Sequence, residues 1–295
     1  MKRCSPRWRR PAGSKMPEII VKPASLKELW KTLPALGKAR RYLAGGTDIV
    51  TADNAGAESS ECWVDISDLP ELGAIKETAR ALFIGSGVKI SAIENSAPAR
   101  RWCPALIAAI PHFASPSLRN MATLGGNAAN GSPCADGVCA LVAEGAFVHL
   151  AHNGKKRCLP LKDLFLGPKR TALEKDELIT AFEVPKTKHF GAYLKLGPRA
   201  YFGISKAAVA VSLEMSGKTV KRASIALGSV APVPFYAVKT SAWLAGKPLS
   251  SEVVLAAAAL VMTEVSPITD SRSEADYRRE MCGVLLERAL KSVCR

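Results

Sequence analysis

The sequence predicts an α+β protein of two lobes joined near residues 185–190. Three observations predict it. At 295 residues the chain is longer than one hydrophobic core usually organises. Residues 17–70 hold a strand–helix–strand unit that empties into a glycine turn. From residue 204 onward, strands are followed by a run of helices instead of alternating with them, which marks a segregated α+β lobe.

The elements follow in order. Residues 18–22 read as a short strand closed by Pro23. Ser25 and Glu28 form a Ser-x-x-Glu capping box, opening a helix whose apolar side is Leu26, Leu29, Trp30 and Leu33, with Gly37 as its expected stop. Residues 41–43 form the next strand and run into Ala44-Gly45-Gly46-Thr47-Asp48. Residues 63–66 and 82–85 are further strands. Residues 86–150 are expected to alternate short strands and helices around a second glycine turn, Gly125-Gly126. They end in a strand at 146–150, with Asn153-Gly154 as a hairpin turn. Residues 178–184 are a strand stopped by Pro185. Strands at 204–215 and 223–230 join through Ser216-Gly217-Lys218, and helices follow at 241–245, 251–265 and 276–293.

Composition narrows the function classes. Hydrophobic residues make up 48% and charged residues 23%, which is globular and excludes wholesale disorder. The longest apolar run is residues 253–262, half of the roughly 20 residues that a bilayer span needs. The formal net charge is +15, but Lys2, Arg3, Arg7, Arg9, Arg10 and Lys15 supply six of these charges within a basic extension expected to be disordered. That extension lacks the apolar core of a secretory signal. The remaining cations are scattered, without the basic stripe that nucleic acid would select. The eight cysteines, at 4, 62, 103, 134, 139, 158, 282 and 294, include no Cys-x-x-Cys pair and read as free thiols in a reducing cytoplasm. Cys134 and Cys139 have only His149 and His152 downstream as further ligands, so no metal site is expected. The four histidines, with His112 and His189, show no metal or triad spacing.

The chemistry concentrates in residues 44–48 and 122–136 (ATLGGNAANGSPCAD). Each joins adjacent glycines to small hydroxyl, amide or acid side chains. Glycines let the main chain approach a ligand and turn its N–H groups toward it, a route to binding a diphosphate without lysines. Thr123, Asn127 and Ser132 offer further hydrogen bonds, and Asp136, which accepts only, suits a sugar hydroxyl. A lone Gly-Gly is more often a plain tight turn; two of them with these neighbours favour a ligand. The Rossmann Gly-x-Gly-x-x-Gly and the phosphate-binding Gly-x4-Gly-Lys-Ser/Thr patterns are both absent.

Together the two segments resemble the flavin-diphosphate loops of the FAD-binding (medium) subunits of molybdenum hydroxylases, the xanthine dehydrogenase and aerobic carbon monoxide dehydrogenase type. The resemblance continues at 176–185, 193–197, 205–210, 277–279 and 283–286, and so spans about residues 17–295. It implies an FAD-binding domain of the vanillyl-alcohol oxidase/PCMH type at 17–185, with subdomains of about 17–70 and 71–185. A C-terminal flavoprotein domain follows at 190–295. It implies that Leu43, Ala44, Gly45, Gly46, Thr47 and Asp48, with Thr123, Gly125, Gly126 and Asn127, wrap the diphosphate. Phe113 then lies beside the adenine, Asp136 accepts from the ribose, Ile179 packs on the flavin ring and Lys195 stands near its pyrimidine end. A fixed ammonium there would favour the negative charge of reduced flavin. Ile179 as strand core, Lys195 as a solvated lysine and Phe113 as core packing are the competing readings of the same residues.

By this resemblance the chain carries electrons and holds no catalytic side chain of its own. A large molybdopterin subunit and a small subunit with two-iron (2Fe-2S) clusters are the implied partners, and NAD is a possible external acceptor. The cysteine-bearing insertion that supports a four-iron cluster in some relatives is missing. A free-standing FAD-dependent oxidoreductase and a basic nucleic-acid-binding module are the alternatives.

Overall fold

The computed structural model describes residues 17, 19–37, 39–55, 61–199 and 202–293. The basic extension expected at 1–16, Cys4 and Cys294 lie outside them.

The chain opens with a small parallel sheet. β1 (Ile19–Val21) and β2 (Arg40–Leu43) flank β3 (Cys62–Asp65), with α1 (Leu26–Thr32) and α2 (Ile49–Asn54) as the crossovers. Ser25 caps α1 as its sequence predicts, its hydroxyl accepting from the Glu28 N–H at 3.2 Å, while Glu28 reaches back to the Ala24 N–H at 2.8 Å. The helix does not run to Gly37. It tightens into a 3-10 turn at Leu33–Ala35, because Pro34 has no N–H to continue the α-helical ladder.

A five-stranded antiparallel sheet comes next, in the order β4-β5-β10-β6-β7. Its strands are β4 (Ile75–Glu77), β5 (Ala81–Gly85), β6 (Phe147–His152), β7 (Lys155–Pro160) and β10 (Leu178–Pro185), with a two-stranded flap, β8 (Phe165–Gly167) and β9 (Arg170–Thr171), between β7 and β10. Between β5 and β6 the expected strand–helix alternation is not found. Residues 90–143 carry helices α3 (Ile90–Glu94), α4 (Ala97–Trp102), α5 (Pro104–Ala109), α6 (Pro116–Arg119), α7 (Leu124–Ala129) and α8 (Asp136–Ala143), and the one strand-like contact is an isolated Lys89–Thr123 bridge. Prolines stand in the first turn of α4, α5 and α6, where a missing N–H costs nothing. They start helices there.

The third sheet is β11 (Phe190–Leu196), β12 (Ala207–Ser216), β13 (Thr219–Gly228) and β14 (Phe235–Tyr236), antiparallel in chain order. The strand at 190–196 carries no alternation strong enough to announce it in the sequence. Helices α9 (Val238–Leu244), α10 (Ser251–Glu264) and α11 (Ala275–Val293) cover one face, packing on Val209, Val211 and Leu213. The opposite face presents Ala208, Ala210 and Ala226 to the core that holds α8. Side chains this short let α8, all eight of whose residues are buried, lie between two sheets. Among the described residues no helix is long and apolar enough to cross a membrane.

Candidate functional site

β2 delivers its last residues to the turn at 44–48, and the segment 121–130 meets that turn from the other side. Together they line a cleft of about 330 Å³ bordered by Tyr42, Gly46, Phe113, Thr123, Gly126 and Asn130. The two glycine segments therefore face one shared hollow. A smaller hollow of about 110 Å³ adjoins it, sharing Tyr42, Ala44, Gly126 and Ala129, and is lined beyond them by Ile66, Leu173, Leu178 and Ile179. The first part mixes polar and apolar surface and the second is largely apolar, a division that suits a ligand with a charged middle and a flat apolar end.

The segments are held together in two ways. Gly45 packs directly on the main chain of Met121. Asn130 then bridges them, its amide donating to the Asp48 carboxylate while its oxygen accepts from Lys169 Nζ at 2.5 Å. Below the cleft, Arg40 and Tyr42 both bond to Asp176. Burial, reinforced by the Asp176 charge, pushes the Tyr42 phenol up to about 12. It therefore faces the cleft as a neutral group.

Gly125 and Gly126 do not sit at the end of a strand. They occupy the first turn of α7, where Thr123 is the N-cap and its hydroxyl accepts from the Gly126 N–H at 3.0 Å. Gly125 is required by packing: a β-carbon there would stand 2.5 Å from Ser86 Cβ. The corresponding position on Gly126 meets only the Thr123 hydroxyl, at 3.0 Å, and otherwise opens into the cleft.

Of the residues singled out in the sequence, Ala44, Gly45, Gly46, Thr47, Asp48, Phe113, Thr123, Gly126 and Asn127 line the larger hollow. Gly125 and Ile179 line the smaller. Leu43, Ser132, Asp136 and Lys195 line neither. The Leu43 carbonyl accepts from the Ile66 N–H, and the Ser132 hydroxyl accepts from the Cys134 N–H. Asp136 and Lys195 form a buried pair at 2.8 Å. The second carboxylate oxygen of Asp136 accepts from the Tyr193 hydroxyl at 2.6 Å, and Lys195 also donates to the His112 carbonyl. Burial raises the Asp136 carboxyl, against the pull of Lys195 and Tyr193.

Sequence reasoning passed over Tyr42, Asn130 and Lys169. Asn130 lies inside the quoted 122–136 segment, and Tyr42 directly precedes Leu43 on the strand that leads into the turn, so position alone was the available signal. Lys169 comes from the β8–β9 flap and carried none.

The cleft's chemistry fits a diphosphate-linked ligand. The N–H groups of Gly45, Gly46 and Thr47 donate to no acceptor among the described residues. The side-chain oxygen of Asn127 is buried without a partner. Adjacent unpaired main-chain N–H groups beside a cleft are suited to cradle an anion.

Family comparison points the same way. Residues 14–187 match the model for the FAD binding domain in molybdopterin dehydrogenase, and residues 192–293 match that for the CO dehydrogenase flavoprotein C-terminal domain. The chain belongs to the FAD-binding subunits of the molybdenum hydroxylases. Among these flavoproteins it is similar to the carbon monoxide dehydrogenase medium chain of Afipia carboxidovorans, 34% identical over 92% of this chain and 94% of that one. It is similar also to the glyceraldehyde dehydrogenase medium chain of Sulfolobus acidocaldarius, at 29% over 92% and 97%. The solved carbon monoxide dehydrogenase from Hydrogenophaga pseudoflava has a chain that superposes with a TM-score of 0.89 at 31% identity, covering 97% of this chain and 96% of that one. The fold is accordingly the PCMH-type FAD-binding architecture with a flavoprotein C-terminal domain, and the chain is an oxidoreductase subunit.

Proposed function

We propose that this chain is the FAD-carrying electron-transfer subunit of a cytoplasmic molybdenum hydroxylase complex. It takes electrons from the two-iron clusters of a small partner subunit and passes them to an external acceptor such as NAD, while a large molybdopterin subunit oxidises the substrate. The shared hollow between residues 44–48 and 122–130 is the observation that carries this reading. When bound, FAD supplies two-electron storage between one-electron clusters and a two-electron acceptor.

This chain's own part is to bind and orient. The free N–H groups of Gly45, Gly46 and Thr47 are suited to the diphosphate. Phe113 offers an aromatic face to the adenine in the larger hollow. Ile179, 5% exposed, walls the apolar end and excludes water from one face of the ring. Lys195 and Asp136 lie outside the cleft, so we assign them to holding β11 and α8 together. We take residues 17–185 as the flavin-binding part and 190–295 as the C-terminal part.

Relatives named for carbon monoxide, glyceraldehyde, xanthine, nicotinate and nicotine all match this chain at 27–34% identity. A subunit common to such different substrates does not choose among them; choice belongs to the partner chain.

The test is reconstitution. The purified chain, incubated with FAD and desalted, is expected to retain the flavin in one-to-one ratio with no hydroxylase activity of its own. Purified from its own cells, it should come with two further chains and molybdopterin. A chain that stays colourless overturns the flavin assignment. A yellow chain that purifies alone and oxidises NADH overturns only the complex.

A further inference from the structure

We propose that His149, Cys158 and Glu183 form a binding site for a divalent transition-metal ion of the zinc class, on the outer face of the five-stranded sheet. The three side chains come from three neighbouring strands, β7, β6 and β10. Each offers one ligand atom, and these atoms lie within 4.8 Å of one another. His149 Nε2 is 2.7 Å from Glu183 Oε2 and 3.7 Å from Cys158 Sγ.

The sheet's register makes the cluster. Asn153 and Gly154 both have positive φ, +45° and +85°, as the two-residue hairpin turn between β6 and β7 demands. That turn fixes His149 directly opposite Cys158. On the other side, β10 pairs Ala181 with His149 and Glu183 with Phe147, after an irregularity between Ile179 and Ala181. Glu183 is thus the diagonal neighbour of His149, and alternation puts all three side chains on one face. The Phe83 ring, 5.6 Å from the His149 ring, backs the site with an apolar wall.

Ligand chemistry selects the ion. One imidazole, one thiol and one carboxylate are a borderline-soft set that prefers zinc over magnesium or calcium. Ordinary zinc–ligand lengths give tetrahedral edges of about 3.6 Å between sulfur and nitrogen and about 3.4 Å between nitrogen and oxygen. The sulfur–nitrogen separation already matches. The carboxylate has only to exchange its hydrogen bond for the ion, and it is half-exposed and free to do so. Three protein ligands leave a fourth position for water.

A thiol nucleophile is the rival use of the same residues. A thiol–imidazole–carboxylate triad needs the carboxylate on the ring nitrogen that faces away from the thiol, whereas Glu183 and Cys158 both meet His149 at Nε2. A metal ion supplies its own driving force by displacing the thiol proton, so binding tightens as pH rises.

Cobalt(II) is the probe, titrated into the metal-stripped full-length chain. We expect one equivalent to bind with a thiolate-to-cobalt charge-transfer band and the intense visible bands of tetrahedral cobalt, and zinc to displace it. Cys158→Ser should abolish the charge-transfer band, and Glu183→Gln should weaken binding at least about tenfold. Cys158 is exposed and Glu183 half-exposed, so both variants should fold, and unchanged melting temperatures without metal would show that they do. Cobalt binding without the charge-transfer band, or a band that survives in Cys158→Ser, would overturn the site. FAD retention is expected to be the same in all three proteins.

Discussion

Gly45 lies against Met121 so closely that a β-carbon on the glycine would stand 2.2 Å from the Met121 carbonyl oxygen, and 3.0 Å from Ala122 Cα. The obstacle is main chain, which cannot rotate aside. Contact between these two residues sets the width of the cleft. Gly45→Ala is expected to push the 44–48 turn away from the 122–130 segment, costing about 1–3 kcal/mol. FAD affinity should fall roughly ten- to a hundredfold, since every 1.4 kcal/mol is a factor of ten. Titration followed by flavin fluorescence checks this, and wild-type affinity in the variant would show that the contact does not govern the site.

The adjacent glycines of α7 should behave differently from each other. At Gly125 an added β-carbon strikes Ser86, so Gly125→Ala should lower the melting temperature whether or not FAD is present. At Gly126 the added carbon points into open space beyond the Thr123 hydroxyl. Gly126→Val should leave the thermal transition of the flavin-free protein within a few degrees of wild type and abolish flavin retention. Paired thermal melts and flavin contents separate the two effects.

The strand–helix–strand opening, the Ser25 cap, the Asn153-Gly154 turn and both long C-terminal helices were legible because each rests on local chemistry: a cap, a φ sign, a periodicity. The small-residue clusters at 44–48 and 122–136 were legible as a pair for the same reason. What stayed hidden depends on contacts far along the chain. Nothing near Lys169 announces that it meets Asn130, and nothing near Asp136 announces that β11 brings Lys195 and Tyr193 to it. Residues 86–150 misled because the helices there are only four to eight residues long, too short for a helical period to stand out from a strand's. The His149–Cys158 pairing was in reach, since the hairpin turn alone sets that register.

The buried triad of Asp136, Lys195 and Tyr193 invites a double-mutant cycle. Asp136 and Lys195 keep 10% and 9% of their side chains exposed, so removing either partner leaves the other charged and nearly dry. Asp136→Ala and Lys195→Met should each cost about 3–5 kcal/mol in urea unfolding, and the double variant clearly less than the sum. Additive losses would mean that the pair is not coupled and that each side chain acts through packing alone.

A pH effect is built into the linker between β10 and β11. His189 lies there, hydrogen-bonded through Nε2 to Glu144 and through Nδ1 to the Thr187 carbonyl at 2.8 Å. Glu144 in turn accepts from the Ala105 N–H at 2.6 Å, at the start of α5. Both oxygen partners of the ring are acceptors, and only imidazolium can donate to both at once. Burial works against that charge, as Arg222 does from a distance, but the Glu144 hydrogen bond and charge with the Thr187 carbonyl outweigh them and raise His189 above its ordinary value. Of the other titratable groups, Cys103 feels the Glu144 charge and stays a neutral thiol. A group whose folded value is raised contributes stability that is complete below its unfolded value and is lost as pH climbs through the folded one. Wild type should therefore exceed His189→Asn in melting temperature by most near pH 6, and the margin should shrink as pH rises through the raised His189 value. A margin that stays constant across that window would mean that His189 is neutral in the folded chain and that its tie to Glu144 carries no charge.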